Sequence, residues 1–268
     1  MSENPRPGTR LVLGTRGSEL ALRQAQLVAD RLREAGAGEI ELKIITTRGD
    51  REKSRPFTEM EGRAFFTREL EHALLTNAID IAVHSFKDLP TVIPDELQIA
   101  AVPLRANRRE MIVARRKAVD HSLRCGLKQS AVVGTSSIRR TAEILHCRPD
   151  LHIEPLRGNV TTRIEKLQQG CYDAIIVASA GLERLGLALT NLVEIELHEN
   201  VMVPAPAQGA LAVQTRSGDE AINAMVRKID DPGIRQVVEA EREVLRRMAA
   251  GAICRSEYAA SLCRAGFA

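Results

Sequence analysis

Apolar and polar positions along the chain switch between two periods. Strand-length apolar runs occupy residues 11–15, 40–47, 79–84, 98–103, 111–114, 131–135, 152–156, 174–178 and 210–214. Between them the spacing turns helical. Ser18 can cap a helix with apolar positions at Leu20, Leu22, Ala25, Val28, Ala29 and Leu32. Further helices are predicted over 65–75, 137–147 and 160–169, and 219–249 reads as mainly helical. Residues 48–62 are polar and turn-rich, which predicts a loop. Strands alternating with helices predict an α/β fold around largely parallel sheets.

One stretch repeats. Val-Leu-Gly-Thr-Arg-Gly-Ser (12–18) and Val-Val-Gly-Thr-Ser-Ser-Ile (132–138) both read as strand, Gly-Thr, Ser, then helix. Each places free backbone N–H groups at a helix N-terminus beside the carboxyl end of a strand, where anions are favoured. Two such units suggest two similar lobes facing a cleft. The same pattern also serves as ordinary α/β punctuation, and alone it does not choose.

Composition narrows the picture. The 268 residues suffice for one large domain or two to three small ones. Aromatics are 3% with no Trp, so Leu, Ile, Val and Ala must build the cores. A net charge of +3 argues against a nucleic-acid partner. No apolar run approaches the length of a membrane span, and the N-terminus lacks an apolar signal region, so a cytoplasmic protein is expected. The five cysteines are scattered without a CxxC pair, which argues against a disulfide framework and against a metal site.

Of the 38 basic residues, 31 are Arg, the side chain that pairs bidentately with carboxylate and phosphate. Arg16, Arg139, Arg140, Arg157, Arg163 and Arg184 fall at predicted strand and helix ends. Arg139 and Arg140 sit at a helix N-terminus, where the macrodipole prefers acids. An anionic ligand would resolve that conflict. Arg31, Arg33, Arg115, Arg116, Arg246 and Arg247 fall in ordinary helical or solvated contexts and read as surface. The run Ile-Ala-Val-His-Ser-Phe-Lys-Asp-Leu-Pro (81–90) carries Lys87 and Asp88 to the end of an apolar strand. Asp88 is then either an ion-pair partner or a catalytic group beside a developing cation. His84 reads as a packed or hydrogen-bonded histidine.

These segments resemble a known family. Gly14-Thr-Arg-Gly-Ser-Glu-Leu-Ala-Leu22, Ala82-Val-His-Ser-Phe-Lys-Asp-Leu-Pro90, Val133-Gly-Thr-Ser-Ser-Ile-Arg-Arg140 and Leu156-Arg-Gly-Asn-Val160 resemble the porphobilinogen deaminase (hydroxymethylbilane synthase) family. So do Tyr172-Asp-Ala-Ile, Ala180-Gly-Leu-Glu-Arg-Leu-Gly186 and Ala207-Gln-Gly-Ala-Leu211, in the family's order. The resemblance implies two periplasmic-binding-protein-like lobes around a cleft, then a third domain whose cysteine holds a dipyrromethane cofactor. On that pattern lobe 1 is 1–103 with 203–216, lobe 2 is 104–202, and 217–268 is a truncated, mainly helical C-terminal domain. It implies a transferase of tetrapyrrole (porphyrin) biosynthesis that deaminates porphobilinogen and joins the pyrroles. It further implies Asp88 as the catalytic aspartate. Substrate carboxylates would meet Arg16, Ser18, Lys87, Ser137, Arg139, Arg140, Arg157, Arg163 and Arg184, with Arg63 and Phe66 in a lid.

The chain departs from the family in three places. The cofactor cysteine's position, after Ala240-Glu-Arg242, falls on Ala252, which cannot form a thioether; Cys254 lies two residues on. The third domain is expected to be partial. In the lid, Glu59 stands where the family has lysine, and Glu61 and Ala64 replace glycines. Three readings follow. One is an aminomethylpyrrole transferase that uses a free acceptor, without a cysteine-linked dipyrromethane. Another is an ordinary hydroxymethylbilane synthase anchored at Cys254. The last is a non-catalytic two-lobed binder of pyrroles or polycarboxylates. Asp88 favours the enzymes, because a carboxylate weakens a binder of carboxylates.

Overall fold

A computed structural model describes residues 10–47 and 67–248. Arg63, Phe66, Ala252 and Cys254 lie outside the described residues. The chain divides into two compact units. The first holds the described residues up to Arg105 and from Pro206 onward, and the second is Ala106–Ala205.

The first unit opens with β1 (Leu11–Thr15), α1 (Glu19–Glu34), β2 (Ile40–Ile44), α2 (Arg68–Leu75), β3 (Ile81–Ser85) and β4 (Leu97–Ala101). The second contains β5 (Glu110–Arg115), β6 (Val132–Gly134), α3 (Ile138–Cys147), β7 (His152–Glu154), α4 (Val160–Gln168), β8 (Ala174–Ala178), α5 (Ser179–Leu185) and β9 (Leu192–Leu197). The chain then returns to the first unit with β10 (Leu211–Arg216), α6 (Glu220–Arg227) and α7 (Pro232–Arg247). Neither α5 nor β9 is predicted from the sequence pattern. The run predicted to 156 ends as a strand at Glu154, because Pro155 has no N–H to donate.

Each unit has one five-stranded sheet, ordered β2-β1-β3-β10-β4 and β7-β6-β8-β5-β9. In each, three parallel strands are followed by an antiparallel one, β10 or β5, and then by an edge strand. The repeated sequence forms β1 and β6, each second from the edge of its sheet. Gly14 and Gly134 occupy matching places there. A Cβ on Gly14 would overlap Ile79 Cδ1, and one on Gly134 would lie 2.8 Å from Tyr172 Cδ1. Glycine is thus needed for close packing in both halves. Asp80 and Asp173 also correspond: their carboxylates accept from the backbone N–H of Val12 at 2.9 Å and Val132 at 3.1 Å.

Both faces of the first sheet are covered, which explains why its strands read as continuous apolar runs. Leu11, Leu13, Ile81 and Val83 face a core shared with Val28 and Leu32 of α1 and with Met225 and Val226 of α6. The alternate residue Ala82 faces Leu70, Leu74 and Ile79. In the second unit, Ile112 and Ile176 pack with Ile144, while Val113, Ile175 and Val177 pack with Ile164 and Leu167. Residues from 217 onward, expected to open a separate helical domain, pack on the first unit: α6 completes its apolar layer, and Val238 of α7 is buried with Phe86 and Leu89. No helix among the described residues is long and apolar enough to cross a membrane.

Candidate functional site

In the first unit the parallel register aligns the carboxyl ends of β1 and β3, with Leu13 opposite Ile81 and Gly14 opposite Ala82. Arg16 leaves the end of β1, and Ser18 caps α1 by accepting from Ala21 N–H at 3.3 Å. A 3-10 turn, Phe86–Asp88, follows β3 directly. Arg16, Ser18, Lys87 and Asp88 therefore lie at one end of one sheet. The Asp88 side chain is exposed, as a group meeting a substrate must be. His84 is buried beside them, with Nε2 3.0 Å from Gln214 Oε1. Burial lowers its pKa to about 4; Arg16 lowers it too, while Gln214 and Asp88 oppose the shift. A neutral His84 is a packed, hydrogen-bonded residue rather than a second charge at this end.

The turn that bears Asp88 is held by Gln208 and Arg242. Lys87 Nζ donates to Gln208 Oε1 at 2.9 Å. Arg242 of α7 donates to the carbonyls of Phe86 at 3.2 Å and Leu89 at 3.1 Å, and to that of Pro90. Its guanidinium carbon also stands 4.4 Å over the Phe86 ring. Burial pushes the Arg242 pKa down to about 10, so the side chain remains a cation at neutral pH. Next to it, Glu241 accepts from Arg105 Nη1 and Nη2, both at 2.9 Å, and from Ala207 N–H at 2.8 Å. The Glu241-Arg242 pair, legible in the sequence as a family marker alone, fixes both the Asp88 turn and the 207–208 segment that holds Lys87.

In the second unit the predicted residues gather at the carboxyl ends of β6, β7 and β8. Ser137 caps α3 by accepting from Arg140 N–H at 3.5 Å. The Ser136 hydroxyl ties this turn to Leu156, accepting from its N–H at 3.0 Å and donating to its carbonyl at 2.9 Å. That bond sets the start of the loop carrying Arg157. Gly158, at φ +116°, takes the left-handed turn into α4, which Asn159 caps by accepting from Thr162 N–H at 2.8 Å. Arg163 Nε donates back to the Gly158 carbonyl at 2.9 Å, and Lys166 Nζ to that of Arg157 at 3.1 Å. Burial lowers the pKa of Arg157, and pushes that of Arg184 in α5 down to about 10 against the opposing pull of Glu183.

Arg139 and Arg140 require a correction. Their place at a helix N-terminus calls for an anion, and the protein itself supplies one. Glu110, at the start of β5, is fully buried. Its Oε2 accepts from Arg140 Nη2 at 2.7 Å and its Oε1 from Arg139 Nη2. Arg140 Nη1 donates to the Ile176 carbonyl at 2.9 Å, so the fork of this nearly buried side chain is engaged within the protein. Arg139 also reaches Glu143 Oε2 at 3.0 Å and the Val203 carbonyl, yet its side chain stays 24% exposed. Arg139 can face a ligand, and Arg140 locks the acid that orients it. Glu110 is 29 residues from Arg139 and lies within Arg-Arg-Glu-Met, where it reads as a surface charge. Only the pairing of β5 with β8, Glu110 opposite Ala178, brings it there.

The structure thus gives each unit a cationic strand end. The first also bears the exposed carboxylate of Asp88. Among the described residues no group of three or more His, Cys, Asp or Glu could hold a metal ion.

Known proteins match the chain over most of its length. The family model described as porphobilinogen deaminase, dipyromethane cofactor binding domain, matches residues 11–224. A porphobilinogen deaminase from a Geobacillus species is 44% identical over 243 residues, spanning 90% of this chain and 76% of that protein. One from Rubrobacter xylanophilus is 45% identical, spanning 90% and 77%. Among solved structures, a double mutant of the Bordetella pertussis BvgS VFT2 domain aligns over 88% of this chain and 93% of its own, at 11% identity and a TM-score of 0.49.

Proposed function

The chain belongs to the porphobilinogen deaminase, or hydroxymethylbilane synthase, family of transferases, and on that premise we propose that it deaminates porphobilinogen and passes the pyrrole unit to a free acceptor. The observation that carries this reading is Ala252, the residue at the position the family resemblance gives to the cofactor cysteine. A thioether needs sulfur and alanine has none. The pyrrole therefore passes to an acceptor that is not held through a cysteine thioether at this position.

Porphobilinogen bears an acetate, a propionate and an aminomethyl group. Its carboxylates suit Arg16, Ser18 and Lys87 in the first unit, and Ser137, Arg139, Arg157, Arg163 and Arg184 in the second. Arg140 acts one step back, through Glu110. The aminomethyl C–N bond breaks, the nitrogen leaves as ammonia after protonation, and the pyrrole nitrogen's electrons leave a cationic azafulvene. Asp88 stabilises that cation and accepts its N–H. The α-carbon of an acceptor pyrrole then attacks the exocyclic carbon. A C–C bond forms, and the acceptor's α-proton is lost to restore aromaticity.

The test follows ammonia release from porphobilinogen by the purified protein and by Asp88→Ala. Asp88→Ala is expected to lower the rate by about 10²–10⁴-fold while porphobilinogen still binds. Because Asp88 is exposed, stability should change by no more than about 0.5 kcal/mol. Unchanged turnover would remove Asp88 from the chemistry.

A further inference from the structure

The second unit has a concave feature at the end of its sheet away from Glu110. A cavity of about 430 Å³ is lined by Arg115, Arg116, Lys117, Gln168, Thr190, Asn191 and Leu192. Glu110 and Arg115 begin and end β5. At ~3.3 Å per residue they stand roughly 16 Å apart, so this cavity is separate from the cationic end described above. Its volume falls in the range of small-ligand sites.

Its lining is one-sided in charge. Three cations face it and no carboxylate does. Among the described residues, the side chains of Arg115, Arg116 and Lys117 have no ion pair, although Arg108, Arg109, Arg139, Arg140 and Arg148 in the same unit are all paired with acids. The remaining polar lining groups, from Gln168, Thr190 and Asn191, can all donate. Asn191 lies in the left-handed region at φ +66°, within a turn closed by Leu192 N–H to the Leu189 carbonyl at 3.0 Å.

The Arg115 guanidinium is placed by the backbone. It packs against Gly170, where a Cβ would stand 3.0 Å from Nη1, and Gly170 itself has φ +85°. The C-terminal end of α4 accounts for one cation here through its dipole. It does not account for Arg116 and Lys117, which form no ion pair among the described residues. Sequence context alone placed Arg115 and Arg116 on a solvated surface; the fold sets them around a hollow.

We infer that this cavity is a second binding site, for a small multivalent oxyanion carrying phosphate or carboxylate groups. The guanidinium fork of Arg115 takes one oxyanion group, and Arg116 and Lys117 neutralise the rest of the charge.

The experiment is calorimetric titration of the full chain at low salt with pyrophosphate and, separately, with citrate. Saturable binding of at least one is expected, weakening as salt rises. Arg116 and Lys117 are exposed, so Arg116→Glu/Lys117→Glu should fold normally. It should bind at least tenfold more weakly, with ammonia release from porphobilinogen unchanged. Arg115→Gln is expected to lose affinity as well. Binding of pyrophosphate alone identifies a phosphate ligand, and of citrate alone a carboxylate one. No saturable binding of either anion overturns the inference. So does equal affinity in the charge-reversed variant, which would place the anion elsewhere.

Discussion

Glu110 Oε2 accepts a hydrogen bond from Arg140 Nη2 at 2.7 Å, with the carboxylate wholly removed from solvent. A buried charge left without its partner is costly, so this contact is a sensitive point in the second unit. Glu110→Gln keeps the shape and removes the charge. It should destabilise the protein by about 3–5 kcal/mol, read as a lower urea midpoint at unchanged slope. A loss below about 1 kcal/mol would mean that the pair behaves as a surface contact.

Arg242 holds the turn that presents Asp88 through three backbone carbonyls and the Phe86 ring. Arg242→Ala frees the carbonyls of Phe86, Leu89 and Pro90. The account predicts a fall in kcat for ammonia release of about tenfold or more, because misplacing a catalytic group by an ångström is expensive. KM should change less than kcat, since Lys87 is the one carboxylate-binding cation within this turn and Arg16 and the arginines of the second unit lie outside it. A purely structural Arg242 would lower the unfolding midpoint and leave kcat of the folded fraction alone.

His84 gives stability a defined pH dependence. Its folded pKa is about 4, against an ordinary value of 6.5. Between those values the unfolded chain binds a proton that the folded chain refuses, so stability rises with pH. The contribution is complete above pH 6.5 and is lost as pH falls toward 4, by roughly 3 kcal/mol. Urea unfolding at several pH values should show this slope in the parent and a flatter one in His84→Gln. Equal slopes would assign the acid sensitivity to other groups.

Gly134→Ala places a methyl group 2.8 Å from the Tyr172 ring. Overpacking of this kind should cost about 1–3 kcal/mol. Removing the ring with Tyr172→Ala should relieve it, giving a coupling energy of about 0.5 kcal/mol or more in a double-mutant cycle. Additive losses would show that the strain lies in the backbone.

The fold was legible where local chemistry decides it. Alternating periods mark α1, α3 and α4, and Ser18, Ser137 and Asn159 all cap the helices that follow them. Gly14 and Gly134 showed the internal repeat, which the two sheets carry through to strand order. What the sequence hid depends on distant partners. Leu-Val-Glu-Ile-Glu-Leu of β9 alternates like a strand, yet its pairing with β5 spans about eighty residues. Asp88 and the arginines were visible because they end apolar runs. The roles of Glu110 and Arg242 were not, because a charged residue in a polar stretch looks solvated until the fold gives it partners.

The most direct test of the central claim is the intact mass of the denatured protein before and after exposure to porphobilinogen, with ammonia followed in parallel. The account predicts an unmodified polypeptide mass at both points and ammonia released. A covalently retained dipyrromethane that grows in pyrrole steps would contradict it, and would make Cys254 the first residue to replace.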